Sequence, residues 1–201
     1  MIVVVDYGVG NLFSVVNTLK LISSDVVVSS EKEVIEKADK IILPGVGAFR
    51  DAVNKLKEKD LFNLIKEKAK QGTYILGICL GMQLLFEKSF EFGEYEGLGL
   101  LKGEIRPIDS QNGALKIPHM GWNKLKIVKE GGILSEIKDG DYVYFVHSYC
   151  AKNCPSISSF AEYGEQITAT VWDKNVFGCQ FHPEKSGEIG LKILKAFCDL
   201  E

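Results

Sequence analysis

The 201-residue sequence has only three histidines, five prolines and five cysteines, and no strong excess of charge of one sign. A formal net charge of -3 gives no electrostatic reason to expect nucleic-acid binding, which depends on a basic surface. No apolar run approaches the roughly 20 residues that cross a membrane, and the N-terminus lacks the regions of a signal peptide. We therefore expect a cytoplasmic protein that binds neither nucleic acid nor membrane.

The cysteines, at positions 79, 150, 154, 179 and 198, are odd in number and have no repeated close spacing. This pattern favours reduced thiols over a disulfide framework. His147, Cys150 and Cys154 are near each other in sequence, but their spacing fits no standard zinc pattern and a second pair of ligands is missing. The sequence thus implies neither a metal nor a cofactor.

Short apolar runs alternate with segments long enough for helices through the first half of the chain, which predicts strands at Ile2–Asp6, Val26–Ser29, Lys40–Leu43 and Thr73–Ile78. Their Val- and Ile-rich composition is typical of parallel strands covered on both faces. The second half predicts shorter strands at Leu101–Ile108, Leu125–Val128, Tyr142–His147, Ile167–Asp173 and Val176–Phe181, and a final helix at Glu188–Leu200. We predict one α/β domain over residues 1–201, with a mostly parallel central sheet, an antiparallel extension and helices on both faces.

The frame Gly77-Ile78-Cys79-Leu80-Gly81 joins a predicted strand to a helical pattern. Its spacing is that of a nucleophile elbow, where the chain reverses too sharply for side chains at the flanking positions. The sulfur would lie over the first turn of the following helix, whose free N–H groups and dipole lower a thiol pKa and can bind an oxyanion. Cys79 is therefore the predicted nucleophile.

A thiol nucleophile needs a base within hydrogen-bond reach and usually a third group that orients the base. His182 follows a predicted strand and stands in His182-Pro183-Glu184. Positions i and i+2 of an extended chain project to the same side, so Glu184 would hold the His182 ring. A purely structural histidine at the strand end is the alternative that this spacing leaves open.

Two glycine-containing turns follow other predicted strands. Gly8-Val9-Gly10 begins like a dinucleotide-binding turn, but Phe13 takes the third glycine position, so a tight strand-to-helix turn is favoured. In Pro44-Gly45-Val46-Gly47, the glycines permit backbone conformations that direct N–H groups at a ligand, or peptide planes that flip at low cost. Taken alone, this second loop is equally compatible with a plain turn.

These motifs together resemble the class I (triad) glutamine amidotransferase family. The resemblance rests first on Gly77–Gln83 and His182–Ser186, and it covers the whole chain in matching order. Further segments are similar to the family of glutaminase subunits of imidazole glycerol phosphate synthase, which acts in histidine biosynthesis: Asp6–Asn11, Pro44–Gly47, Pro118–Asn123 and Phe145–Tyr149.

The resemblance implies that Cys79 attacks the side-chain amide of glutamine, that His182 transfers the proton and that Glu184 orients His182. It implies an oxyanion hole made by the backbone N–H groups of Leu80 and Gly47. The implied substrate-binding residues are Gln83, Glu96, Ser148 and Tyr149. The implied partner is a cyclase subunit in a heterodimer, which receives the ammonia and makes imidazole glycerol phosphate and aminoimidazole carboxamide ribotide. The implied interface residues are Pro118, His119, Met120, Trp122, Asn123 and Lys185.

Several alternatives remain open from the sequence. Related glutaminases serve pyridoxal phosphate synthesis, and duplicated copies of this family can supply amidino groups in surface-sugar pathways. A non-catalytic interaction subunit and a cysteine peptidase or chaperone-like relative with the same elbow are alternatives from other classes. Taken singly, Gln83 also fits an exposed helix position, Trp122 a core position and Lys185 a solvated surface.

Overall fold

The computed structural model describes residues 1–201, which form fourteen strands and six α-helices. The strands are β1 (Ile2–Val5), β2 (Val26–Ser29), β3 (Lys40–Leu43), β4 (Tyr74–Ile78), β5 (Phe86–Ser89), β6 (Tyr95–Glu96), β7 (Leu101–Pro107), β8 (His119–Lys124), β9 (Lys126–Ile127), β10 (Tyr142–His147), β11 (Tyr149–Lys152), β12 (Ile157–Glu162), β13 (Gln166–Asp173) and β14 (Val176–Cys179). The helices are α1 (Leu12–Lys20), α2 (Lys32–Glu36), α3 (Phe49–Glu58), α4 (Leu61–Lys70), α5 (Leu80–Leu84) and α6 (Gly187–Cys198).

The central sheet has eight strands in the order β2-β1-β3-β4-β14-β13-β12-β9. The first five are parallel, and β13, β12 and β9 continue the sheet in antiparallel pairing. Alternate residues of β1 enter two separate cores, one shared with α2, α3 and α4 and the other with α1 and α6. This confirms the predicted α/β fold with helices on both faces, and explains why the parallel strands are apolar throughout.

The prediction was wrong about two strands that it placed in the antiparallel extension. β7 lies in a separate sheet of order β11-β7-β5-β6, and β10 pairs with β8 in a two-stranded sheet. Strands β5, β6, β8, β11 and β12 were not predicted. β8 reads His-Met-Gly-Trp-Asn-Lys, with neither a β-branched residue nor a clear apolar alternation, so its sequence carries little strand signal.

Three parallel strands end side by side at one edge of the central sheet. β3 ends at Leu43, β4 at Ile78 and β14 at Cys179, and their registers pair Leu43 with Gly77 and Cys179 with Ile78. The segments that follow these strands carry the glycine loop, the predicted nucleophile and the predicted base. The fold contains no helix with the length and apolar character needed to span a membrane.

Candidate active site

The turn between β4 and α5 has the backbone of a nucleophile elbow. Cys79 adopts φ 53° and ψ -110°, an unusual conformation for a residue other than glycine. Its N–H donates to the carbonyl of Cys179 at 2.7 Å, which ties the elbow to β14. A Cβ atom at Gly81 would lie 1.7 Å from the carbonyl oxygen of Leu43, and one at Gly77 would lie 2.6 Å from the oxygen of Gly81. The small residues are therefore a steric requirement on both sides of the cysteine.

His182 and Glu184 form a buried pair after β14. Nδ1 of His182 lies 2.8 Å from Oε1 of Glu184, and their side chains are 4% and 2% exposed. The N–H of His182 donates to the carbonyl of Tyr144, and the Ser186 hydroxyl donates to the carbonyl of His182. These contacts fix the backbone on both sides of the ring, and the carboxylate lies within hydrogen-bond distance of the imidazole.

The sequence analysis explained the contact between His182 and Glu184 by an extended chain, and this explanation was wrong. Pro183–Lys185 forms a 3₁₀ turn and is not extended chain. Glu184 meets its histidine because the turn folds back under the ring, with the Lys185 N–H donating to the His182 carbonyl at 3.0 Å. The proline at the first position of the turn suits this conformation, since its missing N–H is not needed there.

The remaining ring nitrogen of His182, Nε2, is buried and has no hydrogen-bond partner. His182 and Cys79 line the same cavity. Burial lowers the pKa of His182, but the hydrogen bond with Glu184 and the charges of Cys79 and Glu184 outweigh burial and raise this pKa to about 9. The raised pKa favours a protonated His182 ring at neutral pH when Cys79 is charged.

The predicted oxyanion-hole loop lies against the start of α5. The N–H of Leu80 donates to the carbonyl oxygen of Gly45 at 3.3 Å, so this donor is already paired within the chain. A Cβ at Gly45 would meet the Tyr7 hydroxyl at 2.6 Å and the Leu80 Cβ at 3.1 Å. The peptide that faces Leu80 is thus Gly45–Val46, whereas the sequence pointed to Gly47, whose backbone has φ 101° at the cavity wall.

The cavity beside Cys79 has a volume of about 340 Å³ and combines apolar and polar walls. Predicted substrate residues that line it are Gln83, Ser148 and Tyr149. Gln83 is only 6% exposed, and its amide nitrogen donates to the carbonyl of Tyr149 at 3.0 Å and to Oε1 of Gln180 at 3.1 Å. The structure therefore gives Gln83 a buried position in the cavity wall, unlike the exposed helix position that its sequence also allowed.

Glu96 does not line this cavity. It is exposed on the two-residue strand β6, opposite Lys88 of β5. The carboxylate in the cavity wall belongs to Glu91, which sequence analysis missed. Glu91 accepts the Phe49 N–H at 2.6 Å, and burial raises the pKa of Glu91 although this hydrogen bond opposes the shift. In the sequence, Glu91 and Glu96 differ only in their distance along the chain from Cys79. That distance does not show which of the two glutamates reaches the cavity.

The predicted interface residues differ in how far their side chains are exposed to solvent. Met120 and Trp122 project from β8 and are 61% and 53% exposed, and Lys185 is also exposed beside the histidine turn. Pro118 lines the cavity and Asn123 is half-buried. The prediction for His119 needs correction, because this side chain is fully buried and stacks on Phe145 and Tyr163. His119 therefore cannot itself form a surface contact.

Comparison with known proteins agrees with this arrangement. The model of the family "Glutamine amidotransferase class-I" matches residues 3–199. The "Imidazole glycerol phosphate synthase subunit HisH" of Lactococcus lactis is 53% identical over 201 residues, covering 98% of each chain. The protein of the same name from Caldanaerobacter subterraneus is 50% identical over 202 residues, covering 100% of this chain and 98% of the other.

Solved structures show the same fold at low sequence identity. A crystal structure of a glutamine amidotransferase superposes with a TM-score of 0.75 at 17% identity, covering 98% of both chains. A structure of PurLQS from Thermotoga maritima gives a TM-score of 0.69 at 22% identity and covers 98% of this chain and 97% of that one. The chain therefore belongs to the class I glutamine amidotransferases, and among them to the family of imidazole glycerol phosphate synthase subunits called HisH.

Proposed function

We propose that this chain hydrolyses glutamine to glutamate and ammonia through a Cys79-His182-Glu184 triad. The observation that carries the proposal is that Cys79 and His182 line one cavity, with Nε2 of His182 unpartnered and Glu184 bonded to the other ring nitrogen. This is the nucleophile, base and orienting group of a triad. The volume of about 340 Å³ is at the lower end for ligand sites and suits an amino acid.

The reaction has two stages. The Cys79 thiolate attacks the side-chain amide carbon of glutamine, and the His182 imidazolium gives its proton to the leaving nitrogen, so that ammonia departs and a glutamyl thioester remains. A water molecule then attacks the thioester while His182 accepts the water proton. Glutamate leaves, and the proton returned to the Cys79–His182 pair restores the starting state.

The tetrahedral intermediates of both stages carry a negative oxygen. The N–H of Leu80 is the first donor to this oxygen, but it is bonded to the Gly45 carbonyl at rest. Rotation of the Gly45–Val46 peptide would remove that carbonyl and turn the Val46 N–H toward the same place. Removing one donor of such a hole typically slows the reaction about 100- to 1000-fold. The resting chain is accordingly expected to hydrolyse little glutamine.

Ammonia released into water at neutral pH is mostly protonated and is no longer a nucleophile, so it has to reach its acceptor directly. The proposed acceptor enzyme is the cyclase subunit of imidazole glycerol phosphate synthase, which forms a heterodimer with this chain. Similarity to HisH proteins over nearly the whole length supports this choice over pyridoxal phosphate synthesis. The exposed side chains of Met120 and Trp122 supply the apolar anchors that such an interface needs.

The test is a glutaminase assay with the cyclase subunit, with and without the nucleotide substrate of that subunit. We expect low turnover by the isolated chain and a large rise in the loaded complex. Cys79→Ala is expected to abolish glutamine hydrolysis while the complex still forms product from added ammonium salt. Residual glutaminase activity in Cys79→Ala would remove Cys79 from the nucleophile role, and high turnover by the isolated chain would contradict gating by the Gly45–Val46 peptide.

A further inference from the structure

A chain of polar contacts runs from the half-exposed strand β8 to the wall of the Cys79 cavity. Nε2 of His119 lies 2.8 Å from Oδ1 of Asn123, and Nδ1 of His119 lies 2.9 Å from Nε2 of His147. Nδ1 of His147 lies 2.8 Å from the carbonyl oxygen of Tyr149. Neither histidine belongs to the triad, and both rings are buried. Such a pair among the few histidines of the chain requires an explanation.

The inner end of this chain supports a residue of the cavity wall. The Tyr149 carbonyl that faces His147 also accepts a hydrogen bond from the amide of Gln83 at 3.0 Å. The same amide nitrogen donates to Gln180, whose own amide nitrogen lies 3.8 Å from Sγ of Cys79. His147 thus touches the backbone atom that fixes Gln83 beside the nucleophile.

Counting protons restricts the state of the two rings. A carbonyl only accepts, so His147 has to be protonated at Nδ1, and in a neutral ring its Nε2 then accepts from Nδ1 of His119. The amide of Asn123 donates to the carbonyl of Glu162 at 3.1 Å, which leaves Oδ1 as an acceptor toward His119. All three ring contacts together therefore need three protons, whereas two neutral imidazoles carry only two.

The third ring proton is unfavourable for two reasons. Burial lowers the pKa of His119, although its contact with Asn123 opposes the shift, and burial lowers the pKa of His147 to about 3. His182, which is favoured as a cation, acts on His147 in the same direction. The other side chains stacked on His119 are Phe145 and Tyr163, and neither supplies an anion. The pair is therefore neutral, and one contact has to change.

The contact that changes is the outer one. Turning the Asn123 amide by 180° lets its nitrogen donate to Nε2 of His119. The amide oxygen then faces the Glu162 carbonyl oxygen, so these two acceptors separate and the carbonyl loses its partner. That carbonyl is in an exposed hydrogen bond, so water can replace the lost donor. Reversing the inner contacts would instead place the bare Nδ1 of His147 against the Tyr149 carbonyl beside the substrate cavity. The two inner contacts are thus the ones that a neutral pair keeps.

We propose that His119 and His147 are positioning residues that, as a neutral pair protonated at both Nδ1 atoms, hold the Tyr149 carbonyl as the docking point for Gln83. His147 also lines the Cys79 cavity, but the proposed effect of the pair on glutamine passes through Gln83. The effect on glutamine binding rests on the proposed glutaminase function, whereas the proton positions and the order of Gln83 do not. Because Asn123 is the outer end, the same contacts join the strand that carries Trp122 to the cavity wall.

The first test uses the unaltered chain with ¹⁵N-labelled histidine and glutamine, measured by NMR at neutral pH. We expect His119 and His147 to be protonated at Nδ1, the less common tautomer of free histidine, and the Gln83 amide protons to exchange slowly. A His147 protonated only at Nε2, a doubly protonated His119 or a freely exchanging Gln83 amide would each overturn the proposal.

The second test compares two substitutions at one position in the glutaminase assay of the complex. The amide nitrogen of Asn occupies the place of Nδ1, so His147→Asn keeps a donor for the Tyr149 carbonyl, while His147→Leu removes it. We expect KM for glutamine to rise about tenfold in His147→Leu, as for one lost buried hydrogen bond, with kcat nearly unchanged. His147→Asn should stay within about threefold of wild type.

These outcomes separate the positioning role from a structural one. Equal losses in both variants, or a fall in kcat without a change in KM, would mean that His147 only fills space. If His147→Leu fails to fold, the NMR measurement on the unaltered chain still decides. A wild-type complex without glutaminase activity would contradict the proposed function, and the positions of the ring protons would then test the histidine pair by themselves.

Discussion

The elbow around Cys79 and the two-stranded ribbon of β8 and β10 are opposite in construction. In the elbow, every residue from Ile78 to Leu84 is buried and neighbouring backbone leaves no room for a side chain at Gly77 or Gly81. The ribbon instead exposes Met120, Trp122 and Tyr142 on one side. The elbow geometry is fixed by packing within the chain, whereas the outer face of the ribbon is free to be shaped by a partner.

The same difference extends to the polar groups. The His182–Glu184 pair is buried, and the two side chains have almost no contact with solvent. In the ribbon, by contrast, the cationic Lys124 is exposed, and its Nζ lies 5.5 Å from the centroid of the Tyr142 ring. We therefore expect substitutions near the elbow to change chemistry and stability, and substitutions on the ribbon to change association.

Glu184→Gln should give the largest effect. The amide cannot stabilise the imidazolium or enforce the correct ring tautomer, and comparable changes in a triad reduce kcat about 10⁴-fold. The measurement is kcat for glutamine in the complex, with the exposed Glu188→Gln on α6 as the matched control. A loss below tenfold would remove Glu184 from the orienting role.

The same variant changes the pH at which His182 loses its proton. Burial lowers the pKa of this histidine, but Cys79 and Glu184 raise it from 6.5 to about 9. Because the folded pKa is raised, the stabilisation is fully present below pH 6.5 and is lost as the pH rises through about 9. In Glu184→Gln the loss should begin at lower pH. Titration of the imidazole by NMR checks this, and an unchanged midpoint would contradict the electrostatic role.

Gly81→Ala in the elbow and Gly121→Ala in the ribbon compare the two regions by their effects on the free energy of unfolding. The added methyl group would collide with the Leu43 carbonyl, so we expect a loss of about 3 kcal/mol or more in the free energy of unfolding. Gly121 in the ribbon has φ 138°, and no atom lies within 4 Å of the Cβ that Gly121→Ala would add. This substitution should lower the free energy of unfolding by about 1 kcal/mol, from backbone strain alone. Urea unfolding of both variants measures the difference, and equal losses would contradict steric closure at the elbow.

The sequence predicted the elbow well because its requirements are local. Cys79, its small neighbours and the strand-to-helix change all lie within a few residues, and the His182–Glu184 pair is equally close along the chain. The sequence analysis named Glu96 and missed Glu91, because Glu91 reaches the cavity wall in a loop that is held by the Phe49 N–H, far away in sequence. The burial of His119 was missed for a similar reason, since it depends on Phe145 and Tyr163.

Trp122→Ala should weaken association and leave the fold intact. Its ring is half exposed and touches Tyr144 edge-on at 5.8 Å, so removal opens no core cavity. We expect the dissociation constant for the cyclase subunit to rise about 30-fold, or about 2 kcal/mol, with unfolding changed by less than about 0.5 kcal/mol. Titration calorimetry and urea unfolding measure the two quantities.

Trp172→Ala is the control for that prediction. Trp172 stacks on Phe177 at 5.6 Å, and its indole N–H donates to the Lys174 carbonyl, so this substitution should lower stability and leave association unchanged. If Trp172→Ala weakened association and Trp122→Ala lowered stability, the roles assigned to the two tryptophans would have to be exchanged. Equal association by wild type and Trp122→Ala would remove the ribbon from the interface.

Lys185→Ala should give the smallest effect, although Lys185 directly follows Glu184. Its ammonium group is exposed and makes no ion pair within the chain, so truncation leaves no buried charge without a partner. An exposed charge at the edge of an interface contributes about 0.2–1 kcal/mol, mainly through the association rate, and salt screens it. We expect slower association at low ionic strength, no difference near 1 M salt and an unchanged dissociation rate. Slower glutamine hydrolysis in a saturated Lys185→Ala complex would instead link this lysine to the chemistry of the elbow.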